Sequence, residues 1–179
     1  MPPAAADIRI IISDVDGVWT DGKIVYAGET REIKSFNVRD GLAAKLAQRV
    51  GITVALLTSR RSTALTRRAR ELGIEELHQG AGNKLDACER LLEKLGLRFE
   101  QALYLGDDLP DLAPMSRAAI AAAPSDAAAV VRAKATWKLE TRGGEGAFRE
   151  TVERLLRERG DWDALLKEFE SGRPEAQSV

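Results

Sequence analysis

The sequence has very few of the two residue types that build the most familiar structural and metal sites. Its 179 residues include one cysteine, Cys88, and one histidine, His78. A single cysteine excludes an intramolecular disulfide framework, and the two residues are too few for a zinc site made of several Cys and His ligands. Acid–base or metal chemistry in this chain therefore has to rely on carboxylates.

An excess of one charge and long apolar runs are also missing. Lys plus Arg number 27 and Asp plus Glu number 28, which gives a formal net charge of −1. This balance provides no broad positive field for nucleic acid or an anionic membrane, so any anion site must be local. No apolar stretch approaches the roughly 18 residues of a membrane span, and the first residues lack the pattern of a secretory signal. We expect a cytoplasmic protein without a nucleic-acid or membrane partner.

The composition that remains is ordinary for a globular protein, with 44% hydrophobic and 31% charged residues. At roughly 150 residues per domain, the length predicts a single domain over 1–179. We place its core at about 8–159 and a C-terminal tail at about 160–179.

Apolar runs of strand length alternate with amphipathic helical segments along most of the chain. The runs at 8–12, 52–57 and 102–105 each end in polar residues, and Ser62 and Gly73 bracket one of the helical segments. This alternation predicts an α/β fold, a doubly wound parallel sheet with helices on both faces. The pattern over 23–36 predicts a small β-hairpin inserted after the first strand.

Polar side chains follow several of the predicted strands at the edge where open parallel sheets bind ligands. They are Asp14 and Asp16 after the first strand, Thr58 after the second, Lys84 at the start of the helix after the third, and Asp107 with Asp108 after the fourth. Carboxylates crowded at one edge would repel one another unless a cation lay among them. Oxygen ligands of this kind suit Mg²⁺, so the sequence predicts a magnesium site.

A carboxylate nucleophile, Mg²⁺, a hydroxyl and an ammonium group are the parts that phosphoryl transfer needs. We expect Asp14 to attack phosphorus and form an acyl phosphate. Asp16 would protonate the leaving oxygen and later deprotonate the attacking water. Thr58 would donate a hydrogen bond to a phosphoryl oxygen, and Lys84 would neutralise its charge. Taken singly, each of these residues is more often a cap or a solvated side chain, so the prediction depends on their combination.

Three further acidic residues complete the predicted metal site. Asp107 would hold the metal directly, while Asp108 and Asp111 would orient its water ligands. The other interpretation of Asp107, Asp108 and Asp111 is that they cap a short helix.

The order of these motifs resembles the four-motif signature of the haloacid dehalogenase superfamily. The resemblance is carried by Asp14-Val15-Asp16-Gly17-Val18-Trp19-Thr20-Asp21-Gly22, Thr58, Lys84 and Gly106-Asp107-Asp108-Leu109-Pro110-Asp111. A closer resemblance, over about 8–159, is to the 3-deoxy-D-manno-octulosonate 8-phosphate phosphatase family. It is carried by residues 34–41, by Gln79-Gly80 before Asn83-Lys84-Leu85, and by Gly143-Gly144 and Gly146-Ala147 before Arg149-Glu150.

That resemblance implies hydrolysis of a sugar acid phosphate in lipopolysaccharide precursor synthesis, with Mg²⁺ as cofactor. It implies that Asp14 and Asp107 bind the metal through side chains and Asp16 through its backbone carbonyl. The positions where the family binds its substrate are Asp16, Asn37, Val38, Arg39, Asp40, Gly41, Lys45, Arg60, Arg68 and Lys84. Because such a substrate carries a carboxylate as well as a phosphate, arginines such as Arg60 and Arg68 are expected at its site. The alternative for Arg60 and Arg68 is a solvated basic helix face.

The motif spacing leaves no room for a cap domain. Only 43 residues lie between Asp14 and Thr58, and 25 between Thr58 and Lys84. The site would be open in a monomer, and the hairpin, the loop at 143–146 and the tail are the material for its walls. Capless relatives form homotetramers in which neighbouring subunits complete the site, and we expect the same here.

Three other functions fit part of this pattern. A phosphatase of a related nine-carbon sugar acid phosphate would share the fold and the reaction. A signalling receiver domain also combines acidic residues, Thr and Lys, but its phosphorylated Asp follows the third strand. A non-catalytic assembly module is expected to lose Asp14 or Asp16, and this chain retains both.

Overall fold

A sheet of six parallel strands forms the centre of the molecule. The structure, a computed structural model, describes residues 5–29 and 31–172, except for the side chain of Arg31. The strands are β1 Ile10–Ser13, β2 Val25–Ala27, β3 Arg31–Ile33, β4 Thr53–Thr58, β5 Glu76–Gln79, β6 Ala102–Leu105, β7 Ile120–Ala123 and β8 Trp137–Lys138. Six of them form the sheet in the order β5-β4-β1-β6-β7-β8, and each neighbouring pair is parallel. The predicted α/β fold is confirmed.

Helices cover both faces of this sheet. They are α1 Val38–Arg49, α2 Thr63–Leu72, α3 Lys84–Leu95, α4 Leu112–Arg117, α5 Ala129–Lys134, α6 Ala147–Arg159 and α7 Trp162–Glu170. Side chains of β1 alternate between two cores, because successive residues of a strand point to opposite faces. Ile11 packs with α1, α2, α6 and α7, whereas Ile10 and Ile12 pack with α3, α4 and α5. A strand buried on both faces explains the nearly uninterrupted apolar run in the sequence.

The chain reverses its direction of travel across the sheet next to β1. From β1 it crosses to β4 and β5 on one side, and then returns to β6, β7 and β8 on the other. A crevice forms at the carboxyl ends of the strands where the order reverses, here between β1 and β6. The residues that directly follow β1 and β6 are Asp14 and Gly106-Asp107, so the fold delivers carboxylates into this crevice.

The insertion after β1 is small. Strands β2 and β3 form a two-stranded antiparallel hairpin in which Val25 faces Ile33 and Tyr26 faces Glu32. Within the described residues, the connection from β1 to β4 holds only this hairpin and α1, and the connection from β4 to α3 only α2 and β5. The predicted hairpin and the absence of a cap domain are confirmed for this part of the chain.

Some elements differ from the sequence prediction. After β6 the sequence predicts only a polar loop whose acidic residues could cap a short helix. The structure has the 3₁₀ turn at Leu109–Asp111 and helix α4 in this segment. The segment predicted as a tail at 160–179 begins with α7, whose Trp162 and Leu165 are buried against the core. The polar residues 173–179 lie outside the described residues. In the part of the chain that the structure covers, no helix is both long and apolar enough to cross a membrane.

Candidate active site

The structure brings together the polar residues that the motifs predicted at the sheet edge. Asp14 follows β1, Thr58 ends β4, and Lys84 opens α3 after its N-cap Asn83. Lys84 Nζ lies 2.9 Å from Asp14 Oδ1. Asp14, Thr58 and Lys84 are each no more than 6% exposed, so the predicted nucleophile, hydroxyl and ammonium group occupy one buried region.

Three carboxylates crowd beside Lys84. One oxygen from each of Asp14, Asp107 and Asp111 lies within 4.8 Å of the others. Burial, with the charges of Asp14 and Asp111, raises the pKa of Asp107 to about 8. Burial, with the charge of Asp111 and against the attraction of Lys84, raises the pKa of Asp14 to about 6. The arrangement holds more negative charge than its one lysine can balance.

The donor set of this cluster fits a hard divalent cation. Asp107 Oδ1 is buried and has no hydrogen-bond partner among the described residues, although a buried carboxylate oxygen is costly to leave unpaired. Carboxylate oxygens are the ligands that Mg²⁺ takes in proteins, usually with water completing its shell. Asp14 and Asp107 are therefore the side chains that would hold the predicted metal.

Asp111, which is predicted to orient metal-bound water, forms hydrogen bonds with groups of the protein itself. It is fully buried, and Oδ1 accepts hydrogen bonds from Lys84 Nζ at 2.7 Å and Tyr104 Oη at 2.7 Å. Its Oδ2 accepts from the backbone N–H groups of Asp107 at 3.1 Å and Asp108 at 3.2 Å. Protein donors occupy both oxygens, so Asp111 fixes Lys84 and the loop that carries Asp107.

Asp108, which is also predicted to orient metal-bound water, caps a short turn. Its side chain is exposed, and Oδ1 accepts a hydrogen bond of 2.8 Å from Leu109 N–H at the start of the 3₁₀ turn. The structure therefore supports the capping interpretation of Asp108.

The carboxylates around Lys84 favour its charged form. Burial alone would lower the pKa of Lys84, but Asp14 and Asp111 outweigh this effect and raise it above its usual value. The ammonium group therefore stays charged at the position where a phosphoryl group would approach Asp14.

Asp16 lies beside the carboxylate cluster and points toward the hairpin. Its Oδ1 forms an ion pair with Lys34 Nζ, and its Oδ2 accepts a hydrogen bond of 3.2 Å from Thr58 Oγ1. Lys34 also lies 2.9 Å from Glu32 Oε1, and Glu32 pairs in turn with Arg60. The sequence motifs assign no role to Lys34 or Glu32, although Lys34 opens a segment that carries the family resemblance.

Two glycines allow the loop after Asp14 to approach its neighbours. Gly17 has φ +92, and a Cβ there would lie 2.0 Å from Asp107 Oδ2. A Cβ on Gly143 would lie 1.9 Å from Gly17 O. Below the loop, Trp19 is fully buried and donates from Nε1 to Ser13 Oγ at 3.1 Å. The loop is therefore held between Asp107, the 143–146 segment and the core.

The predicted substrate-binding residues of α1 make their contacts away from the carboxylate cluster. Asn37 caps α1 by accepting from Arg39 N–H, and its Nδ2 lies 3.4 Å from Gly144 O. Asp40 is fully buried and accepts a 2.8 Å hydrogen bond from Arg149 N–H. Val38 is 78% exposed. Within its own chain this segment ties α1 to α6.

The predicted basic residues fall into two groups. Arg60 joins the Asp16 network through Glu32. Arg68 lies over the first turn of α1, where a Cβ on Gly41 would be 2.2 Å from its guanidinium, and Lys45 lies near Gly73 at the C-terminal end of α2. Thus Arg60 is linked to the active site of its own chain, whereas Arg68 and Lys45 lie at the contact between α1 and α2.

Comparisons with known proteins agree with this geometry. The chain is 41% identical over 152 residues to the 3-deoxy-D-manno-octulosonate 8-phosphate phosphatase KdsC of Yersinia pestis, covering 85% of this chain and 81% of that protein. The chain belongs to the 3-deoxy-D-manno-octulosonate 8-phosphate phosphatase family. No protein-family model matches it. This membership argues against the receiver-domain alternative.

Solved structures of the phosphatase family and its superfamily share the fold. The Moraxella catarrhalis 3-deoxy-D-manno-octulosonate 8-phosphate phosphatase, solved in complex with magnesium ion, phosphate ion and a KDO molecule, has a TM-score of 0.90 at 38% identity, covering 92% of this chain and 95% of that one. A haloacid dehalogenase superfamily hydrolase (subfamily III A) from Legionella pneumophila has a TM-score of 0.88 at 34% identity, covering 93% and 92%. The superfamily and family predicted from the motifs are confirmed.

Proposed function

We propose that this chain is a Mg²⁺-dependent phosphatase that releases phosphate from 3-deoxy-D-manno-octulosonate 8-phosphate through an aspartyl-phosphate intermediate. The observation that carries the proposal is the placement of Asp14. Its carboxylate is buried, is paired with Lys84 at 2.9 Å, and lies beside the unpartnered Oδ1 of Asp107. The named function of relatives about 40% identical over most of the chain supports the same substrate.

In the first step, a carboxylate oxygen of Asp14 attacks phosphorus while the bond from phosphorus to the sugar oxygen breaks. Asp16 gives its proton to that leaving oxygen, and the sugar acid departs as an alcohol. Lys84 and the hydroxyl of Thr58 hold the phosphoryl oxygens in line for attack. The bound Mg²⁺ would neutralise charge on the transferring group and on Asp14.

In the second step, water attacks the phosphorus of the aspartyl phosphate. Asp16, now ionised, accepts a proton from that water as the bond between phosphorus and Asp14 breaks. The products are inorganic phosphate and the restored Asp14 carboxylate. Asp111 holds Lys84 in position through both steps, because its own oxygens are committed to protein donors.

Substrate recognition by cations is a further part of the proposal. Arg60 lies within the network of its own site, where it pairs with Glu32, and its further N–H donors would bind the substrate's carboxylate. We infer that the segment 37–41, with Lys45 and Arg68, serves the site of a neighbouring copy in a homotetramer. The exposed hairpin supports such an assembly, because Ile24, Val25 and Ile33 are each between 44% and 49% exposed.

The proposed place of the reaction is lipopolysaccharide precursor synthesis in the cytoplasm, which remains a prediction. A nine-carbon sugar acid phosphate would use the same two steps. Substrate choice among these sugar acids depends on the walls of the site, which the proposed assembly supplies.

One experiment tests the reaction and the substrate together. Phosphate release with Mg²⁺ is measured across eight- and nine-carbon sugar acid phosphates for the wild type, Asp14→Asn and the exposed control Asp163→Asn. We expect the eight-carbon substrate to give the highest kcat/KM, and Asp14→Asn to lose at least about 10³-fold in kcat. Full activity of Asp14→Asn would overturn the mechanism, and a preference for a nine-carbon substrate would overturn the substrate assignment.

A further inference from the structure

The hairpin presents two chemically different faces because its strand β3 alternates. Ile33 points outward and is 44% exposed, whereas the side chains of its neighbours Glu32 and Lys34 are 17% and 3% exposed. Tyr26 lies opposite Glu32 in the pairing register, and its hydroxyl accepts a hydrogen bond from Arg60. The inner face therefore consists of polar groups that meet the active site.

Lys34 is the hairpin residue that reaches Asp16. Its side chain is almost completely buried, although it belongs to a residue type that is rarely buried without a partner. Its two partners are Asp16 Oδ1 and Glu32 Oε1. A buried ammonium group held between two carboxylates has little freedom to move, so it defines where Asp16 can lie.

The two oxygens of Asp16 then have different surroundings. Oδ1 is held by Lys34, on the hairpin side, and Oδ2 faces the hydroxyl of Thr58 at 3.2 Å. Because β1 and β4 are parallel neighbours, Asp14 and Thr58 lie at the same sheet edge, so Thr58 faces the side on which the proposed phosphoryl group would meet Asp14. When Thr58 turns its hydroxyl to a phosphoryl oxygen, Oδ2 is released and Oδ1 stays anchored.

We propose that Lys34 is a positioning residue for Asp16: it anchors Oδ1 so that Oδ2 is the oxygen that exchanges a proton with the leaving group and with water. This inference rests on the proposed function. Glu32 supports the anchor by pairing with Lys34, and its second pair, with Arg60, joins the anchor to the group proposed to bind the substrate's carboxylate. The hairpin thus contributes to the chemistry of its own chain.

The leaving group provides a way to detect this role. An alkoxide leaving from a sugar phosphate needs a proton as the bond to phosphorus breaks, whereas 4-nitrophenolate leaves without one. Loss of a correctly placed Asp16 should therefore slow the sugar substrate far more than 4-nitrophenyl phosphate. General acid catalysis of this kind contributes roughly 10²–10⁴-fold. A variant that merely distorted the site would slow both substrates together.

The experiment compares kcat/KM for 3-deoxy-D-manno-octulosonate 8-phosphate and 4-nitrophenyl phosphate with Mg²⁺. The variants are Lys34→Met, Asp16→Asn, the double variant, and Lys23→Met, which removes an exposed ion pair at the start of the hairpin. We expect Lys34→Met to lose about 10- to 100-fold on the sugar substrate and a few-fold at most on the aryl ester. In the Asp16→Asn background, Lys34→Met should have no further effect, and Lys23→Met should match the wild type.

Equal losses on both substrates, or an undiminished Lys34 effect in the Asp16→Asn background, would overturn the positioning role. Melting temperatures are measured for every variant, and Lys34→Gln replaces Lys34→Met if the latter does not fold. A wild type that releases phosphate from neither substrate would instead overturn the proposed function, so the two failures are distinguishable.

Discussion

The substitution Asp107→Asn, which removes the charge of this side chain, should stabilise the metal-free protein at alkaline pH. Asp107 is half-buried beside Asp14 and Asp111, and its burial, together with the charges of these neighbours, raises its pKa to about 8. In the unfolded chain the same carboxyl titrates near its usual value of about 4. Because the pKa of Asp107 is higher in the folded state than in the unfolded chain, protonated Asp107 contributes its full stabilisation of the folded state below about pH 4. This stabilisation is lost progressively as the pH rises toward 8.

The size of this effect can be worked out in two ways. The shift from 3.8 to about 8 corresponds to about 6 kcal/mol at about 1.4 kcal/mol per pKa unit. Two unit charges at the 4.8 Å limit of the cluster repel by about 3 kcal/mol at an effective dielectric constant of about 20. We take the smaller value as the expected gain for Asp107→Asn at pH 8. It corresponds to a rise of roughly 6–12 °C in Tm for a chain of this length.

Magnesium should reverse the order of the two proteins. A ligand at about 1,000 times its Kd stabilises the folded state by about 4.1 kcal/mol, which exceeds the gain of about 3 kcal/mol expected for Asp107→Asn. The wild type should gain this stabilisation, while Asp107→Asn gains little. Thermal unfolding is measured at pH 5 and pH 8, with a chelator and with Mg²⁺, and Asp108→Asn serves as the exposed neighbouring control. A lower Tm for Asp107→Asn in chelator at pH 8, or an equal Mg²⁺ response in both proteins, would refute the reasoning.

Three further predictions follow from single contacts. Gly17→Ala should reduce kcat by at least about 100-fold and reduce the rise in Tm on adding Mg²⁺, because the new Cβ would lie 2.0 Å from Asp107 Oδ2. A rise in Tm equal to that of the wild type would contradict this. Asp111→Asn should lower stability by about 2 kcal/mol in chemical denaturation, since it removes a charged acceptor from Lys84 and Tyr104. Ile33→Asp should shift sedimentation from tetramer to smaller species, whereas Val130→Asp, of similar exposure, should not.

The sheet and its motif residues could be predicted from the sequence because their signals are local. A buried parallel strand is a short apolar run on both faces, and residues 8–12 and 102–105 show this directly. The polar residues that end these runs must meet at one sheet edge, so Asp14, Thr58 and Asp107 could be brought together without a structure. Gly73 and Gly96 end α2 and α3 in the left-handed conformation, as glycine permits.

The roles of Asp108 and Asp111 could not be separated in the same way. Both are acidic, both follow β6, and the sequence offers the same two interpretations for each. Their difference comes from the 3₁₀ turn at Leu109–Asp111, which directs Asp111 inward to Lys84 and Tyr104 and leaves Asp108 at the surface. Such a distinction depends on partners distant in sequence, and Lys84 is 27 residues away.

The ion pair between Lys34 and Asp16 could not be predicted from the sequence, because it too depends on residues distant in the chain. This ion pair also has a consequence for assembly. A lysine in an exposed two-stranded hairpin is normally solvated, and only the docking of the hairpin onto the sheet edge buries this one. Because strand residues alternate, the outward Ile33 lies between the inward Glu32 and Lys34. In the proposed tetramer, a partner that covers Ile33 would hold Glu32 against Arg60 and Lys34 against Asp16. One short strand would then determine both the association of subunits and the orientation of Asp16. Dissociation of the tetramer should therefore lower kcat even where no active-site residue has changed.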